Sequence, residues 1–193
     1  MSSENDLRKI VLPKRVFTMI EQKVVDLYVE LSIGTFPVDP LCILSKVGYV
    51  LKTYSELSSE SQHMFMTHDH DAITFFNPTI QTYVICYDEN KSQERIKFTL
   101  MHEIGHIRLG HKEESDLARK MVDYFAAYAL APSPIIHISD CKDYHEVAEY
   151  FGISLECAEY SYERYEKWRD FGGAFRDYEE KLIRLYKSKI KTR

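Results

Sequence analysis

Three side chains within five consecutive residues, His102, Glu103 and His106, have the chemistry of metal-assisted hydrolysis. Histidines four positions apart lie on one face of an α-helix, so both imidazoles can reach one tetrahedral Zn²⁺ at roughly 2.0–2.1 Å. Glu103 can face the open coordination position, where it would accept a proton from a water whose pKa the metal lowers to about 7. The spacing therefore predicts a mononuclear zinc site that hydrolyses peptide bonds.

A catalytic zinc needs a third protein ligand, and the following helix is the place to look for it. If that helix begins near Ser115 and runs antiparallel, a rise of about 1.5 Å per residue puts the partner roughly 4 to 8 residues along it, at 119–123. Asp123 is the carboxylate in that range, and an Asp in so apolar a helix is costly unless it is paired or metal-bound. We expect Asp123 to ligate zinc directly. Two alternatives stay open. In the first, Asp123 does not bind zinc but hydrogen-bonds a ligand histidine and orients it. In the second, the ligand is Asp116 or Glu114.

The other histidines are weaker candidates for the site. His111 follows the predicted end of the motif helix, where it can contact substrate or help organise the site, although histidines at helix ends commonly interact with free carbonyls. His68 and His70 form an H-x-H pair in the acidic segment 68–71, which we interpret as a flexible loop without the rigid support that a metal site needs. The histidines without a spacing partner are interpreted as structural or exposed: His137 and His145.

Hydrophobic periodicity predicts the elements that must position these residues. Predicted strands cover 49–54, 72–76 and 82–87. Predicted helices cover 13–34, 40–48, 92–110, 115–131, 143–151, 154–168 and 174–190. This order of helices, a small sheet and further helices predicts an α+β fold.

Composition narrows the possible classes of function. The formal net charge is −5 and 45% of residues are hydrophobic, which describes a globular chain without the basic excess typical of direct nucleic-acid binding. No uncharged run reaches the roughly 18 residues of a membrane helix, and the run 124–139 contains two prolines. The N-terminus shows no apolar signal segment, and the four cysteines stand far apart. We therefore expect a cytoplasmic protein with reduced thiols and no membrane partner.

Longer stretches around the motif resemble the ImmA/IrrE family of metallopeptidases. The resemblance covers residues 37–165 and is carried by the motif helix at 94–111, by the Asp-Tyr-Phe-Ala-Ala segment at 123–134 and by residues 147–158. It implies a mainly helical, zincin-like metallopeptidase domain with a small β-sheet packed beside the His-Glu-x-x-His helix, and a zinc cofactor. It also implies a protein substrate, namely a helix-turn-helix transcriptional repressor encoded on a phage or mobile element.

The sequence departs from the family pattern in the second helix. Family members usually carry glutamates shortly before an Asn-x-Phe-Ala segment, and one of these glutamates ligates zinc. Here those places hold Arg119 and Met121, and Asp123 stands where the Asn is usual. Either the carboxylate has moved to Asp123 or Asp116, or the zinc site is weakened or lost. Two functions stay open. One is an endopeptidase that relieves repression by cleaving the repressor. The other is a non-catalytic antirepressor that keeps the fold and binds the repressor.

The expected domain organisation has three parts. They are an N-terminal helical segment at 1–36, the metallopeptidase domain at 37–168 and a C-terminal helix at 169–193. Within the domain, residues 148–158 resemble a helix-turn-helix. Their second helix is rich in Glu and Tyr, so we expect it to pack on the core and not to bind DNA.

Overall fold

The computed structural model describes residues 12–67, 70–111, 113, 115–171, 173 and 175–190 of the 193-residue chain. The helices of this described part are α1 (Lys14–Leu31), α2 (Pro40–Val47), α3 (Ser59–Thr67), α4 (Gln93–Leu109), α5 (Asp116–Leu130), α6 (Ser133–Ser139), α7 (Tyr144–Phe151), α8 (Leu155–Asp170) and α9 (Asp177–Ile190). Its strands are β1 (Val50–Thr53), β2 (Ala72–Asn77) and β3 (Thr82–Tyr87). The predicted α+β class, mainly helical with a small sheet, is confirmed.

Capping residues define the start of α4, the start of α5 and the end of α4. Ser92 accepts a hydrogen bond from the backbone N–H of Arg95, and Ser115 accepts one from Ala118, so each cap satisfies a free donor in the first helical turn. Gly110 ends α4 with φ 71°, in the left-handed region that glycine adopts at little steric cost. The predicted ends of the motif helix and the predicted start of the next helix are confirmed.

The three strands form one small sheet in the order β1–β3–β2. β2 and β3, both predicted as strands, pair antiparallel, with Ala72 opposite Tyr87. β1 pairs parallel to β3, with Val50 opposite Val84. β2 is therefore an edge strand, with backbone N–H and C=O groups along its outer side that no strand of this sheet pairs. The same strand packs against α4.

Helices α4 and α5 pack closely against each other because a glycine lies at their contact. A Cβ atom at Gly105 would come 3.1 Å from Cδ1 of Phe125, whose side chain is fully buried. The surrounding hydrophobic core extends from Leu12 to Tyr186, and α1 packs against both α5 and α9. The terminal helices share this core, and the domain division at residues 36 and 168 stays a prediction. No helix in the described ranges is long and apolar enough to cross a lipid bilayer.

Two helices differ from the expectations. No helix was predicted in the polar segment 55–67, which contains α3. The segment lacks a strong apolar stripe, but its Glu, Gln and Met residues have good helix propensity. His70 follows α3 and is exposed, whereas His68 lies outside the described residues. Helix α6 was not predicted; its Pro134 lies in the first turn, where the missing N–H costs nothing.

Candidate metal centre

The two motif histidines face each other from successive turns of α4. Their Nε2 atoms are 3.2 Å apart and their ring centres are 4.9 Å apart. Two nitrogens bound to one tetrahedral zinc at about 2.0–2.1 Å would lie about 3.3 Å apart, so the spacing of His102 and His106 fits a shared metal. Both side chains are half-buried and line the same cleft.

Asp123 contacts the other edge of the His102 ring. Its Oδ1 lies 2.9 Å from Nδ1 of His102. Because a carboxylate only accepts hydrogen bonds, Nδ1 carries the proton, and Nε2 is left with the lone pair that a metal requires. This contact favours the orienting role over direct ligation, and direct ligation by Asp123 stays a prediction.

Close packing of α4 and α5 explains why Asp123 reaches His102. Gly105 and Phe125 lie within one turn of these two residues, and a Cβ atom at Gly105 would meet the Phe125 side chain at 3.1–3.3 Å. The next residues of α5, Ala126 and Ala127, are small and buried, so no bulky side chain separates the helices. The close packing of α4 and α5 thus places the Asp123 carboxylate within hydrogen-bond distance of His102.

Glu103 lies between the two motif histidines in the sequence of α4. It is half-buried and lines the cleft beside both histidines. Burial raises the pKa of Tyr54, at the end of β1, and the negative charge of Glu103 contributes to that rise. The Glu103 side chain therefore borders the same cleft as the histidine pair, which is the location that a general base for this site requires.

His111 lies beside His106 because of the turn that ends α4. After Gly110, the backbone N–H of His111 donates to the carbonyl oxygen of His106 over 3.1 Å. The two rings are 5.4 Å apart at an angle of 76°. Nδ1 of His111 is buried and has no hydrogen-bond partner among the described residues. Burial lowers the pKa of His111, and the charge of His102 lowers it further.

The cleft around these residues has a volume of about 1640 Å³. One wall is the edge strand β2, and the others are α4, the first half of α5 and the start of α8. Its charged lining residues carry both signs: Asp71, Glu94, Arg95, Glu103, Glu113, Arg119, Lys120, Asp123 and Glu156. The cleft is therefore large enough for an extended peptide, and its mixed charge gives no preference for nucleic acid.

A family model described as the IrrE N-terminal-like domain of M78 peptidases matches residues 53–162, more than half of the chain. The chain belongs to the M78 peptidase family. The predicted membership of the ImmA/IrrE group of metallopeptidases is confirmed. No curated protein shows significant similarity to the chain.

In this M78 peptidase, those of the other candidates that the structure describes are not brought to the histidine pair. Asp116 is exposed in the first turn of α5, and Glu114 lies outside the described residues. His137 packs against Tyr165 and Trp168, and His145 is exposed. Within the described ranges, no three His, Cys, Asp or Glu side chains already converge on one point.

The two α5 positions where the family usually has glutamates differ in environment here. Arg119 is exposed and lines the cleft, whereas Met121 packs against the hydrophobic core. Arginine offers no acceptor oxygen and methionine offers a thioether, so neither replaces a carboxylate at zinc.

Sequence reasoning missed the contribution of α8 to the M78 cleft. Cys157 and Tyr160 line its edge, but the spacing of α8 indicated only a core helix, and no motif linked it to the histidines. Burial raises the pKa of the Cys157 thiol to about 12. This thiol is therefore protonated at neutral pH and is not a nucleophile for the site.

Proposed function

We propose that this M78-family protein is a zinc-dependent endopeptidase of narrow specificity whose substrate is a helix-turn-helix transcriptional repressor. The observation that carries the enzymatic part is the 3.2 Å separation of the Nε2 atoms of His102 and His106, beside the Glu103 carboxylate. The repressor as substrate rests on the resemblance to ImmA/IrrE proteins. Cleavage of the repressor would relieve repression.

Each residue of the centre has a distinct role in this proposal. His102 and His106 would hold the metal, and Asp123 accepts a hydrogen bond from Nδ1–H of His102, so that Nε2 stays free to bind. The chemistry that a bound zinc supplies is Lewis acidity, which lowers the pKa of water to about 7 and polarises a peptide carbonyl. Glu103 takes the proton of the attacking water on a carboxylate oxygen and transfers it to the leaving amine.

The edge strand provides a binding mode for an extended substrate. An extended peptide that adds to β2 forms main-chain hydrogen bonds with the outer backbone groups of that strand. β2 lines the cleft from Ala72 to Phe76, so such a peptide would pass beside the histidine pair. Phe75 and Phe76 are exposed on this strand, and both rings would lose solvent-exposed apolar area when a substrate side chain covers them.

A second candidate function is a non-catalytic antirepressor. The observation that favours it is the absence of an oxygen donor at positions 119 and 121, which Arg119 and Met121 occupy. In this case the cleft and edge strand bind the repressor without cleaving it. The two functions differ in whether peptide bonds are broken, so one comparison separates them.

The test is a comparison of wild type, Glu103→Gln and Glu113→Gln. Glu113 lines the same cleft and is exposed, so its variant is a matched control for the loss of one carboxylate. Zinc content is measured by mass spectrometry after loading, and cleavage is measured with a proteome-derived peptide library. Helix-turn-helix repressors from the same genome are then tested as substrates.

We expect about one zinc per chain in all three proteins. Cleavage falls about 10²- to 10⁴-fold for Glu103→Gln, because the general base is lost, and stays at the wild-type level for Glu113→Gln. Full cleavage by Glu103→Gln would refute the peptidase mechanism. A wild-type protein that binds a repressor and holds zinc but cleaves nothing would support the antirepressor.

A further inference from the structure

We propose that His111 is the third protein ligand of the metal, so that the centre is a three-histidine site. This inference rests on the proposed function, since it concerns the same zinc ion. It assigns to His111 a role that neither the His-Glu-x-x-His spacing nor the second helix indicates.

The separation of the rings fits this assignment. Two imidazoles that bind one tetrahedral zinc through ring nitrogens at about 2.0–2.1 Å have ring centres about 5 Å apart. The distance is 4.9 Å between His102 and His106, and 5.4 Å between His106 and His111. His111 lines the same cleft as the pair, and metal binding would require its ring to turn a nitrogen toward them, since no three such side chains converge among the described residues.

The unpaired nitrogen of His111 is the second observation. Nδ1 is buried without a hydrogen-bond partner among the described residues, whereas buried polar atoms in folded proteins nearly always have one. A metal at the histidine pair would give this ring a partner. His137, outside the cleft, has its Nδ1 paired with the Tyr165 hydroxyl, so the unpaired Nδ1 distinguishes the histidine that borders the site.

The backbone holds His111 close to the pair. The left-handed turn at Gly110 directs the chain back, and the His111 N–H then bonds to the carbonyl of His106. The third donor is therefore anchored to the same helical turn as the second one, and the entropy lost on closing the site is small.

The competing carboxylates are less suitably placed. Asp123 contacts Nδ1 of His102, on the other edge of that ring from the metal-facing nitrogen. Asp116 is an exposed residue of the first helical turn, where a carboxylate interacts favourably with the helix dipole. Three histidines with one open position form an established ligand set for a hydrolytic zinc.

The test uses full-length protein loaded with one zinc per chain. X-ray absorption at the zinc edge counts the imidazole ligands of wild type, His111→Ala and His145→Ala. Competition with a chromogenic chelator gives the zinc affinity of the same proteins. His145 is exposed on α7 and lies outside the lining of the cleft, so its variant controls for the loss of a histidine. Urea unfolding of the metal-free proteins confirms that each variant folds.

We expect three imidazoles in wild type and in His145→Ala, and two in His111→Ala. The zinc affinity of His111→Ala should fall more than about 100-fold. Loss of a residue that only hydrogen-bonds a metal ligand costs about 10- to 100-fold in affinity, and loss of a ligand costs more. Two imidazoles in wild type would overturn the assignment and leave the proposed function standing, and this count does not depend on any variant folding. A wild-type protein that takes up no zinc would overturn both.

Discussion

Substitutions at Asp123 distinguish the two roles that a carboxylate can have near this metal. Asp123→Asn keeps an acceptor oxygen near Nδ1 of His102, whereas Asp123→Ala removes it. For an orienting residue, we expect Asp123→Ala to weaken zinc binding about 10- to 100-fold, which corresponds to about 1.4–2.8 kcal/mol. Asp123→Asn should lose less than about 10-fold, because the ring keeps its tautomer and loses only the charge of its partner.

The structure also predicts that these changes leave folding almost intact. The Asp123 side chain is 48% exposed, and substitutions at such positions usually change the free energy of unfolding by less than about 0.5 kcal/mol. The assay is chelator competition at neutral pH, combined with urea unfolding of the metal-free proteins followed by the fluorescence of the single tryptophan, Trp168. Equal losses beyond about 100-fold in both variants would refute the orienting role, because a direct ligand is lost equally in Asn and Ala.

Two further predictions concern the elements that support the centre. Gly105→Ala should lower the free energy of unfolding, measured in urea titrations, by about 1 kcal/mol. The new Cβ atom would lie 3.1–3.3 Å from the Cβ, Cγ and Cδ1 atoms of Phe125. The cost of this overpacking, about 1–3 kcal/mol, exceeds the gain of about 1 kcal/mol in helix propensity. A more stable variant would contradict this reasoning. Burial alone would raise the pKa of Asp71, but ion pairs with Arg95 and Lys91 lower it. Asp71→Asn should therefore lose about 0.5–1 kcal/mol of stability at neutral pH. The difference in free energy of unfolding between wild type and Asp71→Asn should disappear as the pH falls through the lowered pKa of Asp71 in the folded protein. Urea titrations at several pH values measure this difference, and a difference that does not change with pH would show that the ion pairs contribute nothing.

The sequence predicts the centre best where local spacing determines geometry. The i, i+4 spacing and the capping residues predict that His102 and His106 share one face of a helix, and the structure confirms that helix. The estimate of distance along the next helix correctly places a carboxylate near the pair. The distance estimate cannot determine which nitrogen of the His102 ring the carboxylate contacts, because that contact depends on how closely Gly105 allows α4 and α5 to approach.

Non-local pairing and turn geometry account for most of what the sequence leaves open. The parallel pairing of β1 with β3 joins segments that are more than thirty residues apart, and no local pattern encodes it. The position of His111 depends on the left-handed turn at Gly110. A glycine at a helix end predicts such a turn, but the unpaired Nδ1 that marks this histidine depends on packing. Helix α3 was not predicted because its sequence has helix propensity but lacks a strong apolar stripe.

The placement of charge explains how this M78 peptidase can keep its chemistry without the usual glutamate ligand. In the family pattern a carboxylate binds zinc and a neutral Asn stands further along the helix. Here the carboxylate is Asp123, which binds the outer nitrogen of His102, and a neutral imidazole from His111 takes the ligand position. Besides Glu103, each arrangement has one carboxylate near the metal, but in this chain that carboxylate lies one imidazole ring further from it. Since the attraction between charges weakens with distance, a bound water should be more acidic here than beside a carboxylate ligand. The acid limb of the pH–rate profile should accordingly lie at lower pH than in a His111→Glu variant, and a profile that does not move between the two would contradict this account of the charges.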